Sequence, residues 1–97
     1  MIKLALLVRL EAKPGKEDEV ENFLKGGLAL VQEEPGTKSW YALKINAGTY
    51  GIFDTFDDED GRQAHLSGKV AEALMAKAAD LFSVSPVIEK VDLIAVK

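Results

Sequence analysis

The chain contains no cysteine among its 97 residues. This absence excludes disulfides, thiolate-bound zinc, iron–sulfur clusters and a cysteine nucleophile. It is consistent with a reducing compartment, so we expect a cytoplasmic protein. Histidine is nearly absent too, because His65 is the single example. The sequence therefore offers one side chain whose unperturbed pKa lies near neutral pH.

Runs of basic residues and long apolar runs are also missing. Twelve Lys and Arg residues against 16 Asp and Glu residues give a net charge of −4. Such a surface repels phosphate backbones, so we expect no nucleic-acid partner. The N-terminal apolar segment "LALLV" is short, is flanked by charges and precedes no small-residue cleavage site, unlike a signal peptide. No run approaches the ~20 apolar residues of a membrane span, so we expect no membrane partner.

The length of 97 residues predicts one domain over residues 1–97, and the periodicity of its apolar residues predicts the elements. Residues 2–12 alternate as a strand, and the next segment has the i, i+3, i+4 spacing of a helix that begins with acidic residues 17–19 and ends at Pro35. Strands over 37–45 and 49–56 flank the turn "NAGT".

Two helices and a strand are expected in the last third of the chain. "GRQAHL" predicts a short helix, and Ser67 is expected to cap a second one, which Pro86 ends before a strand over 87–97. The order β-α-β-β-α-β is that of an α+β, ferredoxin-like domain with a four-stranded antiparallel sheet and both helices on one side.

The uncovered face of this sheet is expected to be apolar. If Tyr41 pairs with Asp54 in the hairpin, Trp40 and Phe53 point away from the helices. Such a surface is too apolar for a monomer, so we expect a homodimer in which two sheets pack face to face as a dimeric α+β barrel. Trp40 would then be a dimer-core anchor.

His65 is the candidate catalytic residue, since it follows the third strand where a helix leaves the sheet. The alternative is a histidine that merely caps or decorates a helix, and position alone leaves both open.

A pocket wall is predicted from aromatic strand residues around one carboxylate. The predicted substrate-binding residues are Tyr41, Tyr50, Asp54 and Phe56. The alternative is that the aromatic residues simply fill the core. A carboxylate inside a strand needs a partner, for which Arg9, Lys44 and Tyr41 are the candidates. The acidic run 57–60 lacks the spacing of a calcium loop, so no metal site is expected.

Three segments resemble the antibiotic biosynthesis monooxygenase family of the dimeric α+β barrel superfamily. They are "FDTFDD" followed by "QAHL", "EAKPGK", and "EPG", in the family's element order over nearly the whole chain. The resemblance implies a dimer with a pocket between sheet and helices, and cofactor-independent oxidation of a quinol or polyphenol by O₂. His65 would act as a base, Phe56 would stack on the ring, and Asp54 or Tyr41 would orient polar groups.

The chain departs from the haem-degrading members of that family. They have a tryptophan where this chain has Phe56, an asparagine near Val8, and a haem-ligating histidine near Lys69 or Val70. Haem degradation is therefore disfavoured, and we expect no cofactor. Because fold does not settle chemistry, two alternatives stay open. They are a non-catalytic module that binds a small ligand, and a purely structural dimer.

Overall fold

One antiparallel sheet of four strands carries the fold. The computed structural model describes all 97 residues. The strands are β1 (Leu4–Glu11), β2 (Thr37–Asn46), β3 (Thr49–Phe56) and β4 (Val87–Asp92), and their order in the sheet is β2-β3-β1-β4. Each neighbouring pair is antiparallel. The ferredoxin-like prediction is confirmed, while the last strand ends at Asp92 instead of continuing to residue 97.

Three helices connect the strands: α1 (Glu17–Val31), α2 (Glu59–Leu66) and α3 (Lys69–Leu81). The Asp58 side chain caps α2 by accepting a 2.8 Å hydrogen bond from the backbone N–H of Gly61. Ser67 does not cap α3 as predicted, because its hydroxyl donates back to the carbonyl of Gln63 at the end of α2. None of the helices is long and apolar enough to cross a membrane.

The core lies between the sheet and helices α1 and α3. Val8 and Leu10 of β1 and Ile52 of β3 point into it. The helices contribute residues at the spacing that the sequence indicated, namely Val20, Leu24, Leu74 and Leu81. Burial of such side chains stabilises the fold by about 1.5–3 kcal/mol each.

The predicted register of the β2–β3 hairpin is wrong by one residue. Trp40, and not Tyr41, lies opposite Asp54, and Lys44 lies opposite Tyr50. The ladder has irregularities between Thr37 and Ser39 and between Lys44 and Asn46, so β2 gains a residue beside the turn. A shift of one residue moves every side chain of a strand to the other face.

This register places Trp40 on the helix side of the sheet. An added Cβ at Gly27 would lie 3.4 Å from the indole ring and 3.2 Å from Val70 of α3. The glycine therefore allows α1 to pack closely against both. The prediction that Trp40 anchors a dimer interface is wrong, because the indole is mostly buried within its own chain.

The other face of the sheet carries no helix. Tyr41, Phe53 and Leu7 lie side by side across β2, β3 and β1 on that face, and Tyr41 is 54% exposed. Val87 of β4 is also exposed there. The expectation of an apolar open face therefore holds with Tyr41 in place of Trp40.

Candidate functional site

Helix α2 is held against the loop after α1 by two glycines. A Cβ at Gly36 would lie 2.9 Å from the Cα of Gly61, and a Cβ at Gly61 would lie 2.9 Å from the carbonyl oxygen of Gly36. At the sheet, the buried guanidinium of Arg62 donates to the carbonyl of Ala5 at 3.2 Å. These contacts fix the position of α2, and hence of the side chain one turn further along.

His65 lies between two carboxylates that come from distant parts of the chain. Its Nδ1 is 2.6 Å from Oε1 of Glu34, and its Nε2 is 2.9 Å from Oδ2 of Asp54. Thr37 donates a further hydrogen bond of 2.8 Å to the same Glu34 oxygen. The contact to Asp54 is an ion pair without the alignment of a good hydrogen bond, since neither Asp54 oxygen has a hydrogen-bonding partner. We call Glu34, His65 and Asp54 the carboxylate–imidazole cluster.

Two members of the carboxylate–imidazole cluster are almost fully buried, which strengthens the interaction between the charges of the cluster. His65 is 7% exposed and Asp54 is 0% exposed. Burial lowers the pKa of His65, but the carboxylates of Asp54 and Glu34 outweigh it, and the pKa lies above the usual 6.5. The imidazolium presents an N–H to each of the two carboxylates, so the geometry favours this form of the ring.

A small apolar cavity adjoins the cluster. Its volume is about 30 Å³, and Asp54, His65 and Trp40 lie in its wall among aliphatic side chains of the sheet and α3. Oδ1 of Asp54 and Nε1 of Trp40 are buried without a partner. The cavity can hold one molecule of about the size of water, but not an aromatic ring. The Phe56 ring packs against His65 with ring centroids 5.5 Å apart.

A second, much larger hollow is an open groove between α1 and the edge strand β2, of about 480 Å³. We call it the outer groove. Tyr50 and Lys44 meet at the Glu21 carboxylate there, where the Tyr50 hydroxyl donates a 2.7 Å hydrogen bond and the Lys44 ammonium forms an ion pair at 3.1 Å. The hydrogen bond to Glu21 and burial raise the pKa of Tyr50 to about 12. Trp40 belongs to the walls of both hollows.

The predicted site residues are therefore divided between the region around His65 and the outer groove. His65 and Asp54 come together in the wall of the small cavity, and Phe56 packs against the His65 ring without lining the cavity. Tyr50 lies apart from them at the outer groove, and so does Tyr41, which the one-residue shift removes from the helix side of β2. Their roles in binding stay predictions. The partner of Asp54 is His65, and not Arg9, Lys44 or Tyr41 as expected.

Two members of the site were not predicted. Glu34 follows a helix and precedes a proline, a place where acidic residues are ordinary, and nothing local signals its contact with a residue 31 positions away. Trp40 was assigned to the wrong face. No group of three or more His, Asp or Glu side chains is spaced to hold a metal ion, and the expectation of a metal-free protein stays a prediction.

Comparison with known proteins finds similar solved structures but no matching family model or curated protein. A solved structure of a protein of unknown function from Nitrosomonas europaea is 58% identical over 100% of this chain and 94% of that one, with a TM-score of 0.98.

Two more distant structures are provisionally named antibiotic biosynthesis monooxygenases. The protein from Caulobacter crescentus is 22% identical over 97% of this chain and 92% of that one, with a TM-score of 0.82. The protein from Chloroflexus aurantiacus is 18% identical over 98% and 96%, with a TM-score of 0.75. The chain therefore belongs to one family with the Nitrosomonas protein, and its fold is that of the antibiotic biosynthesis monooxygenase-like proteins.

Proposed function

We propose that this protein is a cofactor-independent monooxygenase that oxidises a small phenol or quinol with O₂. The observation that carries the proposal is a buried imidazole held between two carboxylates at the wall of an apolar cavity. Charged groups in so dry a place are costly and are typical of sites that do acid–base work. The names of the distant structural neighbours agree with this reaction class.

The reaction needs only the substrate and dioxygen. A phenol loses its O–H proton, and the phenolate passes one electron to O₂. The phenoxyl radical and superoxide combine to form a carbon–oxygen bond at a ring carbon, and the peroxide takes up the proton. Loss of water, with the ring hydrogen, then leaves a quinone. One oxygen atom enters the product and the other leaves as water, so phenol and O₂ give quinone and water.

The contacts of His65 favour a mechanism in which histidine is not the base that accepts the substrate proton. Both nitrogens of His65 already face carboxylates, whose charges raise its pKa and favour the imidazolium. Oδ1 of Asp54 has no partner and is the acceptor available to a substrate hydroxyl. In this proposal Asp54 accepts the proton, and the imidazolium of His65 offsets the negative charge of the phenolate and of the reduced oxygen. The apolar wall excludes water from the peroxide.

The test is an oxygen-uptake assay with hydroquinones and naphthols in buffer treated with a metal chelator. The wild-type protein should consume O₂, and Asp54→Asn and His65→Ala should each lose at least a hundredfold in rate, within the range that general acid–base groups contribute. Gln63→Ala is the matched control, since it changes an exposed residue on the same helix. Circular dichroism checks that each variant is folded.

The results separate this proposal from its alternatives. No uptake by the wild-type protein with any quinol, or an unchanged rate in a folded Asp54→Asn variant, would contradict it. Saturable binding of a quinol without uptake would instead support a binding module. Neither binding nor uptake would support a structural dimer.

We also infer that the functional unit is a homodimer whose open sheet faces meet. Leu7, Phe53 and Tyr41 form an apolar strip there that a second copy would cover. Phe53→Glu should give a monomer on size-exclusion chromatography, whereas Lys77→Glu, on the exposed side of α3, should behave as the wild type. A Phe53→Glu variant that elutes as the wild type does would contradict this interface.

A further inference from the structure

The two hollows on the helix side of the sheet differ in what they can hold. The cavity beside His65 and Asp54 has room for a molecule of about the size of water or dioxygen, at about 30 Å³. The outer groove, at about 480 Å³, falls within the size range of small-molecule sites. An aromatic substrate therefore fits the groove and does not fit beside the cluster in this conformation.

Trp40 is the one aromatic wall that the two hollows share. Its indole packs against Gly27 of α1, where even an added Cβ would lie 3.4 Å from the ring, at van der Waals contact. Its Nε1 is buried and donates to nothing, so no hydrogen bond holds the ring in place. A buried donor without an acceptor costs free energy, and a ligand that accepts from it would recover that cost.

The charges in the groove indicate which ligand it suits. Lys25 and Lys44 contribute two ammonium groups, and Glu21 contributes one carboxylate. Lys44 is paired with Glu21, whereas Lys25 forms no ion pair. Glu17 and Asp18 in the first turn of α1 add negative charge near Tyr50, so Lys25 is the one ammonium group of the groove that is free to pair with an anion. The remaining wall is aliphatic and aromatic and includes Leu24, Leu28 and Trp40.

We propose that the outer groove binds a planar aromatic anion of one or two rings, and that displacement of the Trp40 indole joins the groove to the carboxylate–imidazole cluster. The identification of this ligand as the substrate rests on the proposed function, but its binding does not. Lys25 attracts the acid group, the ring lies between Leu28 and the indole, and the indole N–H gains an acceptor when it moves.

Binding is tested with 2-naphthoate by NMR under nitrogen. Trp40 is the only tryptophan, so a ¹H–¹⁵N spectrum contains a single indole N–H peak to follow. We expect a saturable shift of this peak, with affinity about threefold to fivefold weaker in Lys25→Gln, as for one exposed charge pair. Lys77→Gln, an equal charge change on α3, should bind as the wild type does. The neutral ligand 2-naphthamide should bind more weakly than the acid.

Displacement of the indole is tested by chemical modification of the only histidine. Diethylpyrocarbonate should react slowly with His65 in the wild-type protein, since the ring is buried. Trp40→Ala removes the shared wall and should raise this rate at least tenfold, with a smaller rise in Trp40→Phe, which retains a ring. Met75→Ala truncates an exposed side chain on α3 that lines neither hollow and should leave the rate unchanged. Thermal melting shows whether each variant is folded at the assay temperature.

The outcomes distinguish this inference from the proposed reaction. Groove binding without oxygen uptake would support the site and contradict the oxygenase. Oxygen uptake with no shift of the indole peak would support the oxygenase and contradict the groove site. Equal affinity in Lys25→Gln and the wild type would overturn the groove as the binding site. Equal modification rates in folded Trp40→Phe and Met75→Ala would overturn the moving wall.

Discussion

Two ion pairs on the same side of the sheet, each formed by a carboxylate and a basic side chain, have similar lengths but different surroundings. Asp54 and His65 approach to 2.9 Å with side-chain exposures of 0% and 8%, and Glu21 and Lys44 approach to 3.1 Å with exposures of 34% and 57%. Water screens the second pair and hardly reaches the first. Distance alone therefore says little about what a pair does, because burial decides how strongly the two charges depend on each other.

The largest expected effect comes from removing one partner of the buried pair. His65→Ala leaves the carboxylates of Asp54 and Glu34 buried without their cation, which should lower the free energy of unfolding by about 3–5 kcal/mol. Urea denaturation at pH 7 measures it. Lys44→Gln removes the cation of the exposed pair and should leave the free energy of unfolding almost unchanged. Similar losses in both variants would refute the distinction between the two regions.

A smaller effect is expected from pushing the buried cluster apart without touching its charges. Gly36→Ala places a Cβ 2.9 Å from the Cα of Gly61, so the loop must move away from α2 and carry Glu34 with it. We expect a loss of about 1–3 kcal/mol and a lower His65 pKa, measured by urea denaturation and by NMR titration. Gly26→Ala meets no atom within 4 Å in the middle of α1 and should stabilise the protein by up to about 1 kcal/mol. Equal effects at the two glycines would contradict the close contact.

The smallest effect is a dependence of stability on pH. Because the pKa of His65 is raised in the folded protein, the native state binds the extra proton more tightly than the unfolded chain does. The resulting stabilisation is complete below the unfolded pKa of about 6.5 and is lost as the pH rises through the folded value. We expect the free energy of unfolding to fall above pH 6.5, by at most about 1.4 kcal/mol per pH unit. His65→Gln should remove this part of the slope, and a slope of the opposite sign would show that burial outweighs the carboxylates.

The sequence predicted the elements of the fold because their signals are local. The helical spacing of Val20, Leu24 and Val31, and the turn that contains Gly48 with a φ of 91°, each depend on a short stretch of chain. The register of β2 could not be predicted from the sequence, because Trp40 and Ala42 on one face are as apolar as Tyr41 and Leu43 on the other. Either alignment satisfied the pattern, and the irregularity beside the turn decided between them.

The candidate site was predicted only in part for a similar reason. Asp54, Phe56 and His65 lie within twelve residues at the end of β3 and in α2, so their proximity follows from the strand-to-helix turn. Glu34 joins them only because Gly36 and Gly61 bring two backbones together. No periodicity or motif in the sequence reports such a contact between distant segments.

The origin of the carboxylate–imidazole cluster in three separate segments has a consequence for how the chain folds. Glu34 precedes β2, Asp54 lies in β3 and His65 in α2, so local structure alone cannot bring the three together. Loop closure between such distant segments comes late and at an entropic cost. A partly folded chain without the contact to Glu34 would therefore have a lower pKa at its one imidazole than the native protein has. The pKa of His65 then reports whether the chain has reached its native structure.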